Sequence, residues 1–255
     1  MLGKLGKIYH NYRISSGLIW DRIFGNRNYK KIVIICDSRT GSTLLLNMLG
    51  FHPEIEVEGE RFKNMNKRSG GDIWNSIFRK RHSRIKYVGF KLFYFHSQGE
   101  DKSVWDFINN DKSITIIHLK RENIFKSLVS KKIGLNTKQW TENINSKKNI
   151  DLSKKKVAID VNECESYFNQ ISSYQLQTDK KYKNHKLIPI LYEDLSSNPR
   201  LVIDQLYLKL GVKCFQRNSE LKKQNSEKLS ELIINYDELK IHFQNTKWEF
   251  LFYEN

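Results

Sequence analysis

Lys31-Ile-Val-Ile-Ile-Cys36, Asp37-Ser-Arg-Thr-Gly-Ser-Thr43 and Leu44-Leu-Leu-Asn-Met-Leu49 follow one another without a break, and their reading decides the fold. The first block is a continuous β-branched run with no polar alternation, as expected of a strand buried on both faces. The last reads as the start of a helix. Between them lies a loop of small hydroxyl residues around Gly41. A strand running through such a loop into a helix leaves free backbone N–H groups at the helix start. Together with the helix dipole they form a site for an anion. Gly41 permits close approach of the backbone, and the Ser and Thr hydroxyls add donors.

Working outward, further strands are expected at Tyr87–Phe93, Ile114–Leu119 and Lys186–Leu191, followed by helices over about 102–109, 122–133 and 198–210. Strand followed by helix, repeated, argues for a parallel sheet with crossover helices, a three-layer α/β domain. Helices over 161–183 and 226–243 complete the set, and the polar, Lys-rich stretch 137–156 reads as a surface excursion. Residues 1–30 read as an N-terminal amphipathic extension and 31–255 as one domain. Within the extension, residues 8–24 place Ile8, Tyr12, Ile19, Ile23 and Phe24 on roughly one helical face. That face suits docking against the core or, alternatively, peripheral contact with a membrane surface.

The chain has 255 residues, 39% of them hydrophobic and 12% aromatic, which is material for one sizeable core and excludes a disordered tail protein. No apolar run approaches the roughly 18 residues of a membrane span, and no early apolar run suggests a secretory leader. Cys36, Cys164 and Cys214 are odd in number and scattered. They read as reduced thiols of a cytoplasmic protein, with neither a disulfide framework nor metal spacing, and no metal is expected. The net charge of +16 is uneven: residues 61–91 carry ten Lys or Arg against Asp72 alone, whereas 32–60 are acidic. Such a patch attracts an anionic ligand, nucleic acid or an acidic surface.

Two phosphate chemistries can be weighed against the loop. A nucleotide kinase is a poor fit, because the loop has one Gly and lacks the Gly-Lys pair of the phosphate-binding motif of ATP and GTP enzymes. A basic nucleic-acid-binding protein is the other alternative, supported by the charge and by aromatics at Phe90, Phe93, Tyr94 and Phe95. Against it, no helix-turn-helix, RNA-binding signature or zinc spacing is visible.

The stretch Asp37-Ser-Arg-Thr-Gly-Ser-Thr-Leu-Leu45 resembles the 5′-phosphosulfate loop of sulfotransferases that use 3′-phosphoadenosine-5′-phosphosulfate (PAPS), in particular the bacterial carbohydrate group acting on trehalose or Nod factors. Cytosolic aryl and steroid sulfotransferases usually carry Lys where this chain has Arg39. Ile116-Ile-His-Leu-Lys-Arg-Glu-Asn-Ile-Phe-Lys-Ser-Leu-Val-Ser130 is similar to the family's second motif, whose Arg and Ser grip the 3′-phosphate and map to Arg121 and Ser130. Nine residues are two and a half helical turns, so the two can converge on one anion. Leu191-Tyr-Glu-Asp-Leu195 with Asn198-Pro199 and Leu210-Gly-Val212 resembles the late strand–helix unit. Lys222-Lys-Gln-Asn225, Leu229, Asn235-Tyr236 and Thr246-Lys-Trp248 resemble the C-terminal segment.

The resemblance implies a PAPS-dependent sulfotransferase with a P-loop-like fold, sulfating a hydroxyl of a carbohydrate or glycoconjugate. The donor would be bound by Ser38, Arg39, Thr40, Gly41, Ser42, Thr43, Leu44, Arg121 and Ser130, with Lys223 and Gln224 closing over the 3′-phosphate. Sulfuryl transfer needs an anion cradle, a cation near the leaving oxygen and a base for the acceptor hydroxyl. Arg39 and Lys91 are the candidate cations, and Lys91 stands in an otherwise apolar strand run. Glu54, Glu56, Glu58 and Glu60 fall on one side if their segment is extended, most of them as a solvated face. Glu60, after Gly59 and before an aromatic, is similar to the carboxylate base of the carbohydrate group, with Glu58 and His96 as alternatives. His118 reads as a hydrogen-bonded core residue, and Trp74, Trp105 and Trp140 as packing residues before stacking platforms. The basic 61–86 stretch suggests an anionic acceptor.

Overall fold

A computed structural model describes residues 21, 23–97, 101–140, 151–215 and 227–253. Its centre is a five-stranded, wholly parallel sheet: β1 (Lys30–Cys36), β2 (Ile55–Glu58), β3 (Tyr87–Phe93), β4 (Thr115–Lys120) and β5 (Lys186–Leu191), in the order β2-β3-β1-β4-β5. The helices are α1 (Ser42–Gly50), α2 (Gly70–Ile77), α3 (Ser103–Asn110), α4 (Ile124–Thr137), α5 (Leu152–Lys155), α6 (Val161–Lys181), α7 (Tyr192–Ser197), α8 (Pro199–Leu210), α9 (Leu229–Leu232) and α10 (Tyr236–Phe243). A 3-10 turn over Glu249–Phe252 follows them.

Strand β1 sits in the middle because it has no face to show to water, and Ile32 through Cys36 are fully buried. Ile32, Ile34 and Cys36 pack with Leu45 and Leu49 of α1 and Leu206 of α8 on one side. Val33 and Ile35 pack with Ile73 of α2 and Val104 and Ile108 of α3 on the other. The strand next to it runs so close that a Cβ on Gly89 would stand 2.1 Å from the Ile32 carbonyl oxygen. A third apolar cluster joins α4 and α6 to the C-terminal segment through Phe125, Phe168, Phe243, Trp248 and Phe252. The sheet order turns back at β1, since the chain leaves β1 for β2 and β3 on one side and later crosses to β4 and β5 on the other. Loops leaving β1 and β4 therefore part above the carboxyl edge, where open α/β sheets bind ligands.

The four strands expected from sequence are present within a residue or so, and the conditional extended segment forms the edge strand β2. Helix α2 was not anticipated; Ser69 and Asp72 close it with a capping box. The single helix expected over 226–243 is corrected to α9 and α10. Between them, Ile234 N–H donates to the Val157 carbonyl and the Asn235 side chain bonds both backbone groups of Ile159. Those distant partners hold the link out of helical geometry. Of the 137–156 excursion, 141–150 lie outside the described residues, as does the 8–24 face apart from Asp21, Ile23 and Phe24. Cys36 and Cys164 are buried and Cys214 exposed, all free. Among the described residues no helix is long and apolar enough to cross a membrane.

Candidate active site

The loop after β1 begins with Asp37, which is buried and accepts a 2.6 Å hydrogen bond from the Tyr167 hydroxyl of α6. Burial pushes its carboxyl up, against the pull of that bond. Thr40 Oγ1 donates back to the Asp37 carbonyl at 2.8 Å and closes the turn. Arg39 and Gly41 both take positive φ, 63° and 76°. At Gly41 a Cβ would stand 2.5 Å from the Tyr192 ring, so the loop backbone lies directly on that ring. Helix α1 then starts with no side-chain cap and no acid in its first turn, leaving its N–H groups and dipole for another anion.

Two guanidinium groups meet here. Arg39, bent inward by its left-handed backbone, donates from Nε to Ser130 Oγ at 2.9 Å and from an Nη to the Trp140 carbonyl at 2.6 Å. Arg121, at the carboxyl end of β4, donates to the Arg39 carbonyl at 2.9 Å and lies over the Tyr192 ring at 4.4 Å. Glu193 has an oxygen 4.0 Å from Arg121 Nε and accepts from the N–H groups of Glu122 and Asn123, where α4 begins. Burial lowers the pKa of both arginines, and at Arg39 the charge of Arg121 adds to it. Two cations held this close with hydroxyl, carbonyl and aromatic partners mark a place where negative charge belongs. Arg121 Nε and Ser38 Oγ are buried without a hydrogen-bond partner among the described residues. These orphaned donors fit a phosphate or sulfate oxygen.

Lys91 is 4% exposed, well inside β3, and its Nζ lies 3.0 Å from Glu60 Oε1 and 3.3 Å from Ser42 Oγ at the start of α1. Glu60 thus stands beside the loop. Burial would raise its carboxyl, but the hydrogen bond and charge of Lys91, with Lys63 and His96 behind, hold it below the ordinary carboxylate range. His96 Nε2 is 4.0 Å from Glu60 Oε2, and burial pushes its imidazole down to about 4.

The other acids of this segment are engaged elsewhere. Glu58 pairs with Arg61 at 2.6 Å and Arg81 at 3.6 Å, and Glu56 with Arg81 at 2.5 Å. The expected solvated face is corrected by Arg81, which is almost wholly buried beneath Glu56 and Glu58 and needs both carboxylates. This engagement leaves Glu58 poorly placed as a base. His118 is fully buried between the Tyr94 hydroxyl and Asp179, each at 2.7 Å, the core role read from sequence.

The structure therefore brings together Ser38, Arg39, Thr40, Gly41, Ser42, Arg121, Ser130, Lys91 and Glu60. Thr43 is exposed on the first turn of α1, and Leu44 packs against the sheet core. Lys223 and Gln224 lie outside the described residues. Sequence reasoning gave no role to Tyr192 and Glu193, although Leu191-Tyr-Glu-Asp194 sits at the end of β5, beside β4, where topology alone would direct it to the site. Among the described residues no group of three or more His, Cys, Asp or Glu could hold a metal ion.

No protein-family model matches the chain. Nodulation protein H of Rhizobium tropici is 26% identical over 234 residues, spanning 83% of this chain and 88% of that protein. The similarity thus runs over most of both chains. The chain's resemblance to the sulfotransferase family, the bacterial carbohydrate group included, stands on this relation and on four motifs in order. Two solved structures also align. The sulfotransferase from Alicyclobacillus acidocaldarius has a TM-score of 0.44 and 13% identity, over 83% of this chain and 90% of that one. The sulfotransferase domain of the Synechococcus PCC 7002 olefin synthase has a TM-score of 0.43 and 18% identity, over 74% and 76%.

Proposed function

We propose that this protein is a sulfotransferase that moves the sulfuryl group of PAPS to a carbohydrate hydroxyl. The observation that carries the reading is the meeting of Arg39 and Arg121 over an uncapped helix start, one on each side of the sheet's switch point. PAPS would supply a sulfuryl group on a good leaving phosphate. Residues 38–44 would hold its 5′ end and Arg121 with Ser130 its 3′-phosphate. Lys91 and Arg39 would stabilise charge on the oxygen that leaves.

The acceptor oxygen would attack sulfur in line as the bond from sulfur to the 5′-phosphate oxygen breaks, with 3′,5′-adenosine bisphosphate as product. The acceptor proton would go to Glu60. A carboxylate is a weak base toward a sugar hydroxyl, so the proton moves late, when the hydroxyl has become acidic through bonding to sulfur. A carbohydrate acceptor is supported by the motif resemblance.

Calorimetric titration with 3′,5′-adenosine bisphosphate, against ADP and 5′-AMP, tests the donor site. Tight binding that requires the 3′-phosphate is expected, and equal affinity for all three nucleotides would overturn the assignment of Arg121 and Ser130. Glu60→Gln should bind the nucleotide as the native protein does and lose turnover.

A further inference from the structure

Among the described residues, Lys91 is the basic side chain of the site that touches both the loop and the base. Its ammonium stands between Ser42 Oγ, in the anion loop, and Glu60 Oε1, the base. An ammonium has three donors but one charge. Its shorter contact is to Glu60, at 3.0 Å against 3.3 Å to Ser42.

His96 stands on the opposite side of the same carboxylate. Its Nδ1 accepts from the Phe93 N–H at 3.3 Å, which places the imidazole proton on Nε2. That Nε2–H is buried without a hydrogen-bond partner among the described residues, and it lies 4.0 Å from Glu60 Oε2. The ring cannot easily turn away, because Phe93 and Phe95 pack on it at 4.9 and 5.1 Å and its carbonyl accepts from Trp105 Nε1. A buried donor left unmade is costly, and a shift of about 1 Å by the carboxylate would satisfy it.

We infer that Lys91 and His96 form a handover for Glu60: an anion entering the loop draws Lys91 toward Ser42, and the Glu60 carboxylate passes to His96 Nε2–H. The inference rests on the donor-site reading of residues 38–44. Before donor arrives, Glu60 is tied to a full cation and cannot act as a base. Afterwards it is held by a neutral donor, and its proton affinity rises. Base strength is thereby made conditional on a loaded donor site. His96 is a positioning residue in this scheme and takes no proton.

The test is a carbon-13 NMR titration of the Glu60 carboxyl, assigned by Glu60→Gln, with and without saturating 3′,5′-adenosine bisphosphate. The midpoint is expected to rise by about one pH unit or more on binding, as for a carboxylate losing an adjacent cation. The nucleotide's own charge would also raise it, so Lys91→Met is the control. In that variant the midpoint starts high, and nucleotide should move it much less. An equal rise in Lys91→Met and native protein, or no rise in the native protein, would overturn the handover.

His96→Asn keeps an acceptor for the Phe93 N–H and deletes the distal donor. It should leave the free-state midpoint nearly unchanged and push the bound-state midpoint higher still. An unaltered bound-state midpoint would remove His96 from the scheme. Calorimetry on the same samples separates the two failures. Nucleotide bound without the expected shift removes the handover alone, whereas no binding removes the donor reading and the handover with it.

Discussion

Two cation-rich regions flank the sheet, and their cations are held in opposite ways. The stretch from Arg61 to Lys86, with the larger share of basic side chains, is answered largely by acids. Arg61 pairs with Glu58, Arg79 with Asp21, Arg81 with Glu56 and Glu58, and Lys86 with Glu54. At the carboxyl ends of β1 and β4 there are fewer basic groups, but Arg39 and Arg121 are held by a hydroxyl, carbonyls and aromatic faces. Linear charge density alone therefore does not distinguish the two regions. What distinguishes the second region is two guanidinium groups at one loop, close to each other and short of water, with one carboxylate, Glu193, at 4.0 Å.

This contrast can be broken in four places. The largest effect is expected from Arg81→Met, which leaves Glu56 and Glu58 without their buried partner. It should cost about 3 kcal/mol of unfolding free energy in urea titration, since the buried Ile77 carbonyl also loses its donor. The folded fraction should still bind 3′,5′-adenosine bisphosphate normally. Arg121→Ala should do the reverse. It should weaken that nucleotide about 100-fold by calorimetry, in line with loss of charge-assisted bonds to a phosphate, about 1.5–3 kcal/mol. A mutant that lost stability but kept its affinity would place Arg121 among the structural cations.

A smaller effect concerns His96, which faces Glu60, Lys63 and Lys91. Burial pushes its imidazole down to about 4 in the fold, against about 6.5 in the unfolded chain. Between those values the unfolded state binds the extra proton. Stability should therefore fall as pH drops through this window. Melting temperatures across pH 4–7 should show a shallower decline in His96→Asn than in the native protein. Least of all should follow from Lys80→Glu combined with Arg84→Glu, on the exposed surface of the basic stretch. Screening at physiological salt should keep the change in nucleotide affinity within about threefold. A larger loss would return the surface charge to a role in binding.

Much of this arrangement was legible in residues 31–49, because a strand buried on both faces and a hydroxyl-rich turn are local properties. Arg121 and Ser130 were legible through the motif resemblance, and because strand and helix are contiguous their spacing allows them to converge. The partners of the site were harder to see. Tyr192 reaches Gly41 and Arg121 only through the β1-β4-β5 order, which no local pattern states. Arg81 looked like one more member of a basic run, since burial of an Arg shows only when the acids of β2 fold over it. The break between α9 and α10 was hidden likewise, because Asn235 is held by Ile159.

One contact reaches beyond the site in time rather than in space. Asn123 caps α4 and donates from Nδ2 to the Leu251 carbonyl at 2.9 Å, while the Phe125 and Phe252 rings meet at 4.8 Å. The helix that carries Ser130 is thus braced by residues made more than a hundred positions later. During synthesis, β1, its loop and β4 leave the ribosome well before the turn over Glu249–Phe252. A growing chain accordingly holds the pieces of an anion site without the clamp that sets their spacing. Competence to bind nucleotide should emerge only after residues 249–252 have left the ribosome and their aromatic side chains close on α4.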